Sequence, residues 1–246
     1  MNSQIELRSI NSIAIIVAME EEAEPIINKL QLWSVPNNYF DIDSRLKLHF
    51  FTNKIDGKRV ALVVNGKDAV HKNADRIGTQ FATRVAEAVC QKMKPDLIMS
   101  AGTAGGLKDS NIGDVYVSDN TFVYCDRVIN LDHYREYGEG HFPYFPISSV
   151  AAKLGLKLGR VATSNSLDPT SRDKEELAKL DADVVDMEAA AIAEVAKDYE
   201  VPVIAVKAVT NYLDKELHTA FKENYSLAVN SLAEKMVDLV PALLNL

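Results

Sequence analysis

Short apolar runs rich in β-branched residues alternate along the chain with longer stretches whose apolar positions recur every three or four residues. Residues 13–18, Ile-Ala-Ile-Ile-Val-Ala, form the first run, and Ala23, Ile26, Ile27 and Leu30 follow at helical spacing. This predicts a strand, a turn and a helix. Residues 46–52 and 60–64 predict two strands joined through Asp56-Gly57, a dipeptide suited to a tight hairpin turn. An amphipathic helix is predicted over 69–93, ending before Pro95.

The run 97–100 enters Ala101-Gly102-Thr103-Ala104-Gly105-Gly106, which reads as a buried strand opening onto a glycine-rich turn. Glycine there lets a backbone approach a ligand closely. A strand is predicted over 115–123, followed by a loop over 125–146 rich in Tyr, His and Gly, a length that usually carries function. Further on, helices are predicted over 150–156, 171–180, 187–198 and 221–244, with strands at 161–163, 184–185 and 203–209. The alternation implies one α/β domain over 1–246, with 1–11 as a flexible lead-in. Its central sheet is mixed but largely parallel and flanked by helices, so ligands are expected outside the carboxyl ends of the strands.

Composition narrows the partners. A net charge of -8 and a pI near 5.2 exclude a nucleic-acid scaffold, which needs a surplus of Lys and Arg to neutralise phosphates. Cys90 and Cys125, the two cysteines, form no CxxC or Cys/His cluster, so neither a disulfide framework nor a zinc site is expected. No cofactor is implied either: the glycine-rich segment lacks GxxxxGK[ST] and GxGxxG. The absence of an apolar stretch of signal or membrane length leads to the expectation of a soluble cytoplasmic protein with a small-molecule partner.

Several residues are candidates for chemistry. Glu20, Glu21 and Glu22 open a helix, where acidic side chains contribute about 0.3 to 1 kcal/mol each through the helix dipole. That suffices to explain Glu20 and Glu21. Asp186 and Glu188 stand among Val184, Val185 and Met187, and a carboxylate in apolar surroundings is unusual unless paired or hydrogen-bonded. His133, His141, Tyr124, Tyr134, Tyr137 and Tyr144 match no ligand spacing and read as a pocket lining or subunit contact. His49, His71 and His218 read as surface or packing residues.

Four segments taken in order resemble the purine nucleosidase/phosphorylase superfamily: residues 18–25 (Ala-Met-Glu-Glu-Glu-Ala-Glu-Pro), 100–106, 185–189 (Val-Asp-Met-Glu-Ala) and 207–210 (Lys-Ala-Val-Thr). Within it they are most similar to the 5'-methylthioadenosine/S-adenosylhomocysteine nucleosidases, and residues 66–69 and 163–168 resemble the plant-type branch. The resemblance implies hydrolysis of an N-glycosidic bond, with water as co-substrate and a purine nucleoside as ligand. It makes Glu22 the general base for water and gives Glu188 the ribose 2'- and 3'-hydroxyls. Asp186 and Met187 would flank the sugar, with Thr103, Ala104 and Gly105 lining its face and Lys207 beside the Glu188 carboxylate. Leu167 and Asp168 would edge the base, and Phe221 would cover the 5' substituent. A homodimer is implied as well. Phosphorolysis competes, but residues 17–20 and 99–102 carry none of the arginines a phosphate requires.

One position departs from the family pattern. Family nucleosidases end the last strand in Ser/Thr-Asp, and that Asp protonates purine N7. This chain has Thr210-Asn211. An amide donates a hydrogen bond but surrenders no proton. Three readings stay open: a slowed adenine nucleosidase, a hydrolase of 6-oxopurine nucleosides such as futalosine hydrolase, and a silent nucleoside binder. Asn165 stands where relatives often carry an Asp bonded to that acid, so Asn165 and Asn211 are expected to form a co-adapted pair.

Overall fold

The computed structural model describes residues 9–212 and 221–246, the latter without the side chains of 221–223. Strand β1 (Ser12–Val17) is buried throughout and runs into helix α1 (Glu20–Lys29). Ahead of it, Ile10 is buried and the Asn11 amide donates to Asp96 at 3.0 Å, so the expected lead-in is anchored at least from residue 10. Strand β2 (Trp33–Val35) forms the sheet edge beside β3 (His49–Ile55). The hairpin to β4 (Lys58–Val64) turns at Asp56 and Gly57, both at positive φ (52° and 79°), as a twist-matched two-residue turn requires.

The helix predicted over 69–93 begins only with α2 (Thr79–Ala88) and runs on as a π-helical turn through Met93. Residues ahead of it form a small ribbon, β5 (Lys67–Asp68) and β6 (Ala74–Asp75), and Gly78 sits at φ 93°, outside helical geometry. The glycine-rich segment also differs from expectation. It is no turn but the second half of a ten-residue strand, β7 (Leu97–Gly106). Pairing with β13 along its length, and with β12 from Gly105, overrides the weak strand preference of glycine.

The strand predicted over 115–123 splits into β8 (Val115–Ser118) and β9 (Val123–Tyr124), and the long loop contains a short helix, α3 (Tyr134–Glu139). Next come α4 (Ser148–Leu154), β10 (Lys157–Gly159) and β11 (Val161–Thr163). They are followed by α5 (Ser171–Lys179), β12 (Val184–Asp186) and α6 (Ala189–Asp198). Strand β13 (Val203–Tyr212) and helix α7 (Phe221–Leu244) end the order. In α7, Leu232, Met236, Leu239 and Leu243 recur at three- and four-residue steps and are fully buried.

The sheet order is β10-β8-β13-β7-β1-β4-β3-β2, with β12, β11 and β9 added beside the far half of β7. Six of its strand pairs are parallel: β1 with β4 and β7, β7 with β13, β8 with β10, and β11 with β12 and β9. Helices α1, α4 and α7 pack on one face, α2 and α6 on the other. Strand β7 pairs with β1 through Ser100 and with β12 only from Gly105. Between those points β7 has no strand neighbour on that side among the described residues, and a side chain arriving from α1 can reach it.

Candidate active site

Into that opening comes Glu22, from the first turn of α1. It is buried, and its Oε1 accepts from the Thr103 amide at 2.7 Å and the Thr103 hydroxyl at 2.6 Å. The carboxylate lies over Gly102, where an added Cβ would stand 3.0 Å from Oε2. The glycine thus serves a side chain of this chain. Burial raises the Glu22 carboxyl above its ordinary value, against the Thr103 hydrogen bonds and the charge of Lys207.

Across the β7–β13 ladder, Lys207 pairs with Gly102, and its side chain is almost wholly excluded from solvent. Its Nζ lies 2.7 Å from Asp186 Oδ2. Burial acts to lower the lysine, but Asp186, Glu188 and Glu22 together raise it, so it is charged. Removing one member of such a buried pair typically costs about 3 to 5 kcal/mol.

Asp186 ends β12 and is saturated. Its Oδ1 accepts from the Thr163 hydroxyl at 2.6 Å, and Oδ2 accepts from the Ala189 amide at 2.9 Å as well as from Lys207. The Thr163 hydroxyl in turn accepts from the Ala190 amide at 2.9 Å. The expectation that Asp186 flanks a sugar therefore gives way, since it is turned inward and holds the start of α6. Likewise Lys207 contacts Asp186 and not Glu188.

Glu188 is the N-cap residue of α6 and is half-buried, as is Met187. Its Oε1 accepts from the Gly78 amide at 2.9 Å. Burial, reinforced by the charge of Asp186 and opposed by Lys207 and the Gly78 amide, pushes its carboxyl from 4.5 up to about 7. Folded protein then binds a proton between those values that unfolded protein releases, so stability falls as pH rises through that window. Glu188→Gln is expected to erase this loss: melting temperatures of wild type and variant, compared from pH 4.5 to 7, should diverge in favour of the variant.

Asn211 follows a bulge in β13. Val209 pairs with Ala104 and Asn211 with Gly105, leaving Thr210 as the extra residue. The Thr210 hydroxyl donates to Asn211 Oδ1 at 2.8 Å and lies 3.3 Å from the Ala104 carbonyl. With its oxygen so engaged, the Asn211 amide offers its NH2 group.

Other expected site residues are placed differently. Asn165 makes no hydrogen bond to Asn211: its Oδ1 accepts from the Thr79 amide and hydroxyl, at 3.0 and 2.8 Å, and its own amide groups donate to Asp126. The expected pair is not joined by a hydrogen bond. The Ala104 methyl is packed in the core, and both donors of Thr103 are spent on Glu22. Leu167 is 57% exposed and Asp168 is exposed, at the rim beyond β11. The Phe221 side chain and His218 lie outside the described residues.

Sequence does not single out Gly78 or Tyr225, and marks Thr163 only as part of the 163–168 resemblance. The Tyr225 hydroxyl lies 3.9 Å from the Met19 sulfur, and the Glu22 charge acts on the ring, bringing α7 to the edge of the site. Gly78 had one visible signal, a glycine inside a predicted helix. An open cavity of about 890 Å³ lies apart from this cluster, lined by Leu107, Lys108, Ser110, Lys174, Leu177 and Tyr212. The site is defined instead by where the buried carboxylates and the lysine converge.

This fold and this cluster define a member of the phosphorylase superfamily, whose sequence profile matches residues 12–241. Within it the chain belongs with the 5'-methylthioadenosine/S-adenosylhomocysteine nucleosidases. It is 36% identical over 241 residues to the Arabidopsis thaliana enzyme of that name, covering 96% of this chain and 93% of the relative. A 5'-methylthioadenosine nucleosidase from the same plant is 34% identical, over 95% of this chain and 89% of that protein. The crystal structure of an MTA/SAH nucleosidase superposes with a TM-score of 0.90 at 35% identity, covering 96% of this chain and 97% of that one.

Proposed function

We propose that this chain hydrolyses the N-glycosidic bond of 5'-methylthioadenosine and S-adenosylhomocysteine, releasing the purine base. The observation that carries this is the buried Glu22 carboxylate, fixed by two Thr103 donors and facing the cluster that holds Glu188. A carboxylate raised by burial is a stronger base than one in water, and here it activates the attacking water. Glu188 binds the ribose hydroxyls, and its charge favours the cation-like sugar of the transition state. Met187 packs on the sugar, Leu167 and Asp168 edge the base, and the Asn211 amide donates a hydrogen bond to purine N7.

The same amide supports a second reading. With Asn211 Oδ1 occupied by Thr210, the NH2 suits any base presenting acceptors, including a 6-oxopurine with both N7 and O6. One panel decides between them: base release from methylthioadenosine, adenosylhomocysteine, inosine and futalosine, with and without phosphate. Adenine release independent of phosphate is expected. Hypoxanthine release alone would transfer the reading to 6-oxopurines, binding without release would favour a silent binder, and phosphate dependence would overturn hydrolysis.

The proposal extends to a homodimer acting in methionine salvage in the cytoplasm. Leu131, Tyr134 and Tyr137 are all more than half exposed on the 125–146 segment, apolar surface that a second copy would cover. Sedimentation is expected to give twice 27.2 kDa, and a monomer at all concentrations would contradict it. Cys90 and Cys125 are buried free thiols, in keeping with a reducing compartment.

A further inference from the structure

We infer that Asp186 is a positioning residue for the proposed reaction: it holds the Lys207 ammonium between the Gly102 segment on which Glu22 lies and the helix turn capped by Glu188. The inference rests on the reading of those two glutamates given above.

Asp186 is only 4% exposed, and both of its oxygens are occupied within the protein. Two of the amides it organises, Ala189 directly and Ala190 through Thr163, belong to the first turn of α6. Glu188 caps that same turn. The cation and the ribose-binding carboxylate are therefore fastened to one frame. On its other side Lys207 stands opposite Gly102, over which Glu22 lies. Of the three carboxylates whose charge acts on this ammonium group, Asp186 forms the ion pair.

Among the described residues, the charged and titratable groups that act on the two glutamates come from several packed elements. Asp186 faces Glu188 from β12, Lys207 faces both from β13, and each glutamate acts on the other from α1 and the α6 cap. From α7, Tyr225 adjoins Glu22, and it also feels Glu21 and Asp75. Among these described groups the lysine is the one cation, so its placement bears on both carboxylates. Without Asp186 the lysine is free to turn toward either glutamate, and the division of roles between base and ribose ligand is lost.

Asp186→Asn keeps the shape and one oxygen for Ala189 and Lys207 while removing the charge. With no competing anion, Lys207 acts more strongly on Glu22 and Glu188, and the acid limb of kcat/KM against pH is expected to move down by about one unit. Lys207→Met is expected to move it up by a similar amount, and the Asp186→Asn/Lys207→Met double variant, which removes both members of the ion pair, to return it near wild type. Should Lys207→Met fail to fold, the downward shift in Asp186→Asn and its reversal in the double variant still test the proposal. Variants that lower kcat while the limb stays in place, or that move it in the same direction, would reduce Asp186 to a structural cap.

The same midpoints are read without turnover from ¹³C carboxyl NMR of the glutamates in the ligand-free protein, with Glu188 assigned through Glu188→Gln. Shifted titrations in a protein that cleaves no nucleoside would sink the functional reading and leave this one standing. Unshifted titrations in an active enzyme would do the reverse.

Discussion

Asn211→Asp is expected to raise kcat for adenine release from methylthioadenosine by about 10²- to 10⁴-fold, the usual contribution of a positioned general acid. The position is already built for the task. It follows the bulge at Thr210, beside the strand that carries Thr103, and its side-chain oxygen accepts from the Thr210 hydroxyl at 2.8 Å. A carboxyl group there keeps that bond through one oxygen and carries a proton on the other, where the amide has only hydrogens it cannot give up. KM should change little, because both groups can donate to N7. On inosine or futalosine the same variant should lose activity, since an ionised carboxylate repels O6. A kcat for adenine nucleosides unchanged by Asn211→Asp would mean that this residue does not meet N7.

Glu22→Gln is expected to lower kcat by about 10²- to 10⁴-fold with the fold intact. Glutamine retains the oxygen that accepts both Thr103 donors and places its NH2 over Gly102, where there is no Cβ to obstruct it. What disappears is the capacity to take a proton from water. The variant should melt no lower than wild type, because it removes a buried ionisable group whose neutral form burial already favours. Activity within tenfold of wild type, measured across pH, would remove Glu22 from the role of base.

The two predictions draw on different kinds of information. Thr210-Asn211 is visible as a departure from a family pattern, but the direction in which the amide donates follows from the Thr210 hydrogen bond. Glu22, by contrast, is set apart in sequence from Glu20 and Glu21 only by the family resemblance, since all three stand at the same helix start. Its packing against Thr103 sets it apart.

Much of the framework could be read from apolar periodicity. Strands β1, β4, β11 and β13, the Asp56-Gly57 hairpin and helix α7 are local patterns whose burial agrees with their neighbours. The failures share a cause. Residues 69–78 have helical periodicity but sit in a ribbon closed by a glycine at positive φ, and residues 101–106 have turn composition but are held as strand by β13 and β12. In both, partners distant in sequence outweigh local preference.

The chain's own order of residues determines the α/β class, the acidic surface, and the presence of Glu22, Glu188, Lys207 and Asn211 near strand ends. Which carboxylate takes the lysine is a matter of tertiary register. Asp186 and Glu188 are two residues apart and both lie at the mouth of α6, yet Asp186 turns inward to Lys207 and Thr163 while Glu188 turns to Gly78, 110 residues away in sequence. The reason is that a buried charge is assigned by distance and solvation. Both are fixed only once β7, β12 and β13 have been laid side by side.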